Sequence, residues 1–402
     1  MPNENFSFLP SWPLDIGPLL WVAVLLLAAI MAGEATRRWL RVSRIVGYVA
    51  TGVLLGPPIA GLIDQQTVAQ LRIFADVAIG LLLFELGQRV DIDWLRRNPA
   101  LLATSVAEAL LTFVAVAGVM LVFGARPAVA AACGIIAIVT SPAVVMTVVK
   151  DLRAQGQVTE RTMLLSALNT AYASVGMALI FGWLSVDAER GIAGVIAHPL
   201  YLVAGSLLLA ALLARGSLEA LRLLGRRAVF QFALLVAIVL LTVAAATTLH
   251  LSVPLALLLL GLFVRVFDRA RHFVALRFGE TAMLLVVVLF ALAGASLQLG
   301  GIGALPVAIL IIVARFLAKT LPLAFFAPPS ALTVRKAVLI GIALTPSSAL
   351  ALLMLTDLAH VFPNLEPHVM GAMFWALGIL AFAGPIGAEY ALRQAKEAHE
   401  ES

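Results

Sequence analysis

Charge is scarce in this chain. Only 12% of its 402 residues are Asp, Glu, Lys or Arg, against about 25% in a soluble domain. That shortage excludes a soluble globular protein. Cysteine is nearly absent. The single Cys133 lies in an apolar run, which excludes a disulfide framework and a cysteine-based metal site. The six histidines show no ligand spacing. No nucleophile–base pair, glycine-rich phosphate loop or metal cluster is legible, so an enzyme is not expected and no cofactor is implied. The formal net charge of +5 does not mark a nucleic-acid partner, because the basic residues occupy short loops between apolar segments. The first residues, MPNENFSFLPSWPLDIG, carry no basic stretch ahead of the first apolar run, so no cleaved signal peptide is expected.

What is abundant is hydrocarbon. Hydrophobic residues make up 62% of the chain and the mean hydropathy is +1.05. A membrane span needs about 20 apolar residues. Thirteen candidate runs cover roughly 17–36, 44–62, 71–88, 100–123, 127–149, 161–184, 193–214, 228–249, 251–267, 281–299, 302–326, 334–356 and 368–390. The second and ninth are short. The positive-inside rule tests the count. With the N-terminus outside, 22 of the 27 Lys and Arg fall on the cytoplasmic side. Only Arg72, Arg126 and Arg190 fall outside, and Arg315 and Lys319 lie within a span. A single missed helix would scramble every later loop, so the asymmetry supports thirteen spans and a cytoplasmic C-terminus. The expected organisation is an all-α membrane domain over 1–390 and a short cytoplasmic tail over 391–402.

Two spans are interrupted. The fifth contains AIVTSPAVVMTVV, where Pro142 removes a backbone donor and clashes one turn back. Its neighbours Thr140 and Ser141 can re-bond freed carbonyls. The twelfth contains GIALTPSSALALLM, with Thr345, Pro346, Ser347 and Ser348 near its centre. The fifth span enters from outside and the twelfth from inside, as an inverted repeat requires. Interrupted helices at matching places in two halves point to the binding site of a secondary transporter. Their ends offer partial charges at mid-membrane without full ones. Two ordinary proline kinks are the plainer alternative.

Polar groups elsewhere in the apolar runs need a reason, because polar groups in hydrocarbon are costly. Asn169 and Thr170 sit together mid-span in SALNTAYASVG. Arg315 and Lys319 are four apart, on one helix face, at a cost of roughly 3 kcal/mol for a mid-membrane cation. At least one of them is expected at the transport site, with structural cations bonding helix carbonyls as the alternative. Among acids, Glu34 and Asp76 are expected at interfaces. Glu85 and Glu108 are open candidates as proton carriers, beside Lys319. Asp76 and Glu85, nine residues apart, point to opposite helix faces and cannot form one site.

Four stretches resemble the monovalent cation:proton antiporter family, in particular its bacterial branch of potassium-efflux and sodium/proton exchangers. SRIVGYVATGVLLGP is similar to the family's opening signature, through Gly47, Tyr48, Gly52, Gly56 and Pro57. FADVAIGLLLFELG is similar to its acid before a Leu-Leu-Phe run, with Asp76 as the acid. LFALAGASLQL resembles the approach to its third-last helix, and ARFLAKTL resembles its Arg and Lys helix. The resemblance spans nearly the whole chain. It implies a sodium/proton antiporter-like fold, with a dimerising scaffold and a core built on two crossed, unwound helices that moves as an elevator. It implies a homodimer in the bacterial inner membrane that exchanges sodium or potassium for protons. By resemblance, Thr140, Ser141 and Pro142 form the first unwound stretch, and Pro346, Ser347 and Ser348 the second. Lys319 is the buried cation. Asn169 and Thr170 take the place of an Asn-Asp, Asp-Asp or Gln-Asp pair.

The chain departs from that pattern at position 170. An Asp that alternately binds cation and proton is expected there, and Thr170 cannot take that role. Lys319 is then expected to lack its ion-pair partner and to hydrogen-bond Asn169 or Thr170. The second break lacks the Gly-Glu of the potassium-efflux branch, and no nucleotide-binding, ligand-gating domain is expected in this chain. Three readings stand at this point. Coupling has moved to Lys319, Glu108 or Glu85; or a net positive site carries an anion or another solute; or the protein transports nothing and serves a partner.

Overall fold

The computed structural model describes residues 18–63, 65–90, 92–184, 191–224, 228–268, 280–297, 301–347, 349–361 and 367–399. All regular structure among them is helical. In chain order the helices are α1 (Pro18–Ala35), α2 (Arg44–Leu55), α3 (Gln65–Arg89), α4 (Ile92–Arg97), α5 (Pro99–Val122), α6 (Pro127–Ile138), α7 (Pro142–Asp151) and α8 (Gln157–Leu184). They continue as α9 (Gly191–Leu224), α10 (Ala228–Thr248), α11 (Val253–Phe267), α12 (Glu280–Ala295), α13 (Leu305–Phe325), α14 (Val334–Ala343), α15 (Ala349–Val361) and α16 (Pro367–Gln394). A five-residue π-helical turn, Thr36–Leu40, follows α1.

Every apolar run of the sequence contains a helix, and the fifth and twelfth are each split into two short helices. By length and composition alone, seven of the described helical segments are long and apolar enough to cross a membrane, one of them the α6–α7 pair taken together. Several ends shift. The second run was expected to reach 62, but α2 stops at Leu55, ahead of Gly56, Pro57 and Pro58, which cannot continue a helix. Toward the other end, α9 runs on to Leu224 and α16 to Gln394. The tail is thus helical at its start. It then folds back, and the buried Glu397 carboxylate accepts bonds from Val158 N, Thr159 N and the Thr159 hydroxyl at 2.8–2.9 Å. Those are the orphan donors at the start of α8, so the chain's end caps the helix that carries Asn169.

Without a hydrophobic drive between helices in lipid, close packing relies on small residues. A side chain on Gly52 would collide with the Ala291 carbonyl of α12, and one on Gly294 with the Val49 carbonyl of α2. Gly87 and Gly261 play the same reciprocal part between α3 and α11. The glycines of the opening signature are therefore helix-contact residues. Two groups of helices result. In one, α1, α2, α3, α10, α11 and α12 pack on each other; in the other, α5 to α8 pack with α13 to α16. Helix α9 packs on α8 as well as on α10 and α11. The outer faces are apolar: on α13, Ile309, Val313, Leu317 and Leu321 form an exposed stripe at helical spacing, as a lipid-facing surface requires.

Candidate functional site

The two interruptions meet. Helix α6 ends at Ile138 and α7 starts at Pro142; α14 ends at Ala343 and α15 starts at Ala349. Between them the strands of unwound backbone touch. Thr140 Oγ1 donates to the Leu344 carbonyl at 3.1 Å, and Ser141 N donates to the Pro346 carbonyl at 3.0 Å. Local chemistry sets the break. Pro142 occupies the first turn of α7, where its missing N–H costs nothing. Ser141 caps that helix by accepting from Val144 N at 3.2 Å. Thr345 Oγ1 donates back to Ile342 O at 2.6 Å, and Pro346 then prevents α14 from continuing. On the far side, Gly384 of α16 leaves only enough room for Pro346. Ser348 lies outside the described residues.

The carbonyls freed by the breaks are answered by cations from α13. Arg315 donates to Ala137 O, Val139 O and Thr345 O at 2.8–2.9 Å, and to Leu344 O at 3.4 Å. One guanidinium thus closes the C-terminal ends of both α6 and α14. Each such end carries about half a negative charge, so two of them offset one Arg. Its planar fork of donors suits this spread of acceptors better than an ammonium would.

Lys319 is fully buried and hydrogen-bonds the Glu108 carboxylate of α5 and the Ile138 carbonyl, the latter at 2.9 Å. This corrects the expectation that Lys319 lacks an ion-pair partner once position 170 is not acidic. It also means that neither Asn169 nor Thr170 is the lysine's partner. Glu108 is itself fully buried, and Asn169 Nδ2 reaches its Oε1 at 3.4 Å and Thr140 Oγ1 at 3.5 Å, both long bonds. Three buried oxygens here have no hydrogen-bond partner: Glu108 Oε2, Asn169 Oδ1 and Ser347 Oγ. Orphaned buried acceptors are costly and suit a bound cation, which takes oxygen ligands.

Two sequence candidates fall elsewhere. Thr170 is buried, but its hydroxyl donates to Ser166 O of its own helix at 2.9 Å. Glu85, near the end of α3, accepts from Lys150 at 2.6 Å and Arg89 at 3.3 Å and is not part of the crossing. Asp76 lines a separate cavity of about 390 Å³ with Ser174, His198, His250 and Leu350. Glu34 is exposed and bonds Arg44.

The family described as sodium/hydrogen exchanger, transmembrane, matches residues 22–382. The chain belongs to that family. It is a multi-pass membrane protein of a transporter family, not an enzyme, and its substrates are a cation and protons. The exchanger shares its fold with the sodium proton antiporter MjNhaP1 from Methanocaldococcus jannaschii. The MjNhaP1 structure at pH 8 superposes with a TM-score of 0.70 at 18% identity, covering 94% of this chain and 99% of that one. An electron-microscopy map of the same protein gives 0.76 at 15% identity, covering 96% and 100%. No curated protein matches. In this exchanger position 170 of α8 is a threonine, and a carboxylate from α5 stands at the crossing. Glu108 was legible only as one mid-span acid among several. Its partnership with a cation 211 residues away was not.

Proposed function

We propose that this exchanger couples monovalent cation movement to protons through Glu108 and Lys319, in place of the missing acid at position 170. The observation that carries the reading is the buried Lys319–Glu108 pair at the crossing, with Glu108 Oε2 and Asn169 Oδ1 left without partners. In the proton-loaded state Lys319 is charged and neutralises Glu108. A sodium or potassium ion that takes Glu108 as its counter-charge removes the reason for the lysine to stay charged. Lys319 then releases its proton, its amine keeping contact with Ile138 O. Asn169, Thr140 and Ser347 supply neutral oxygens, and the half-helix ends at Ser141 and Pro142, and around Thr345 and Pro346, supply the dipoles. A cation and a proton cannot occupy the pair together, and this exclusion is the coupling.

Alternating access follows if the α5–α8 and α13–α16 group slides as one body against the other. We place the protein in a bacterial inner membrane as a homodimer, N-terminus outside and C-terminus cytoplasmic. The arrangement weighs against an anion carrier: Arg315 is occupied by four carbonyls and Lys319 by a carboxylate, so the expected net positive site is neutralised. The test is proton flux in proteoliposomes holding a pH gradient. Sodium or potassium should collapse the gradient with the parent protein and fail to do so with Glu108→Gln. Cation-dependent flux that survives in Glu108→Gln overturns the proposal.

A further inference from the structure

The two helix groups are joined at one end of their seam by charge. Lys150 of α7 contacts Glu85 of α3 at 2.6 Å. Glu389 of α16 contacts Arg37 of the π-helical turn at 2.7 Å. Asp151 of α7 contacts Arg44 of α2 at 3.9 Å. Each pair has one member on each group. Each also includes a residue already bonded to a second partner on its own side: Glu85 to Arg89 at 3.3 Å, Glu389 to Arg393 at 2.7 Å, and Arg44 to Glu34 at 3.2 Å. A cross-seam pair can therefore part without stranding these three charges. Stranding is what makes breaking a buried ion pair expensive. Permanent struts would not need the duplicate partners.

The seam is hollow on both sides of the crossing. The cavity of about 390 Å³ at the other end reaches Ser174 and Leu350, one turn beyond Thr170 and Ser347. A smaller one of about 250 Å³ lies beside the charged end, between Leu86, Arg89, Trp94 and Met163. Met163 is about two turns before Asn169 on α8. The crossing thus sits between two vestibules, and the smaller is lined by Arg89, the own-side partner of Glu85.

We infer that Glu85–Lys150, Arg37–Glu389 and Arg44–Asp151 form an exchangeable charge latch. It holds the groups in the state that exposes the larger vestibule, and handing Glu85, Glu389 and Arg44 to their own-side partners lets the smaller vestibule open. The inference rests on the alternating-access reading above, but not on which residue carries the proton.

The test reads access directly. Ser174→Cys and Met163→Cys, each in the full chain with native Cys133 buried, are labelled in vesicles with a membrane-impermeant thiol reagent. Adding Glu85→Gln and Glu389→Gln should raise Met163→Cys labelling about tenfold and lower that of Ser174→Cys, a shift of about 1.4 kcal/mol in the two-state balance. As a second arm, Glu85→Cys with Lys150→Cys removes both charges together. Bridging them with a short bis-methanethiosulfonate, each thiolate displacing a sulfinate leaving group, should stop exchange until a reductant is added. Unchanged labelling in the neutralised variants, or full exchange while bridged, overturns the latch. Labelling needs no transport, so failure of the Glu108 coupling reading would show in flux while leaving the labelling shift intact.

Discussion

Lys319 of α13 donates to Glu108 of α5 beside the point where two unwound backbones cross. The pair is fully buried. Its cation also caps the α6 carboxyl end through Ile138 O. One side chain therefore serves both the coupling chemistry and the architecture of the crossing, and variants must separate the two.

Glu108→Gln should abolish cation-driven proton flux and also destabilise the protein by about 3–5 kcal/mol, because Lys319 is left buried without a counter-charge. Glu108→Gln combined with Lys319→Gln should recover most of that stability and none of the exchange. Thermal unfolding in detergent, measured beside flux, checks both. Exchange in the double variant at the parent rate would remove the pair from the mechanism.

Arg315→Leu should fail to hold the crossing, since it orphans carbonyls on both α6 and α14 at about 1–3 kcal/mol each. Arg315→Lys should rescue little, because one ammonium cannot span the same acceptors. Size-exclusion profiles in detergent distinguish a folded from an aggregated product. A monodisperse, active Arg315→Leu protein would show that the carbonyls find other donors.

Asn169 and Thr170 should behave differently despite being adjacent. Thr170→Val loses only a hydroxyl bonded back to Ser166 O, so exchange should persist and stability fall by about 1 kcal/mol. Asn169→Leu removes the link among Glu108, Thr140 and the orphaned Oδ1, and flux should drop to background. Equal loss in both variants would mean that Thr170 also faces the ion.

Gly384→Ala should displace Pro346, against which the new methyl group would press, at about 1–3 kcal/mol and with loss of exchange. Gly118→Ala, where the space is open, is the matched control and should be silent. Unfolding temperature and flux on the two variants check the contrast.

Glu397→Ala should loosen the start of α8 by about 2 kcal/mol, as loss of a helix cap does. Faster amide hydrogen exchange at Val158 and Thr159 is the expected signature. Protection at the parent level would mean that the tail's backbone contacts suffice.

Much of this protein is fixed by composition and period. Scarce charge and thirteen apolar runs require a helical membrane protein, because only closed backbone hydrogen bonding survives in lipid. Proline beside hydroxyls in two runs marked two places where a helix could kink or break, and Arg315 and Lys319 could only be buried with acceptors nearby. Those features are local, and local sequence states them. Partner choice is not local. Glu85 and Glu108 are both acids in apolar runs, and nothing in their neighbours along the chain tells them apart. Only the packing of α5 on α13 brings Glu108 to Lys319. Only the seam between the helix groups gives Glu85 to Lys150, and only the rotation of α8 turns the Thr170 hydroxyl back onto its own helix while aiming Asn169 at the crossing. The sequence by itself determined the membrane class, the two places where helices could break and the lack of an acid at position 170. The tertiary structure decided which carboxylate stands at the crossing, because that depends on which faces of distant helices meet.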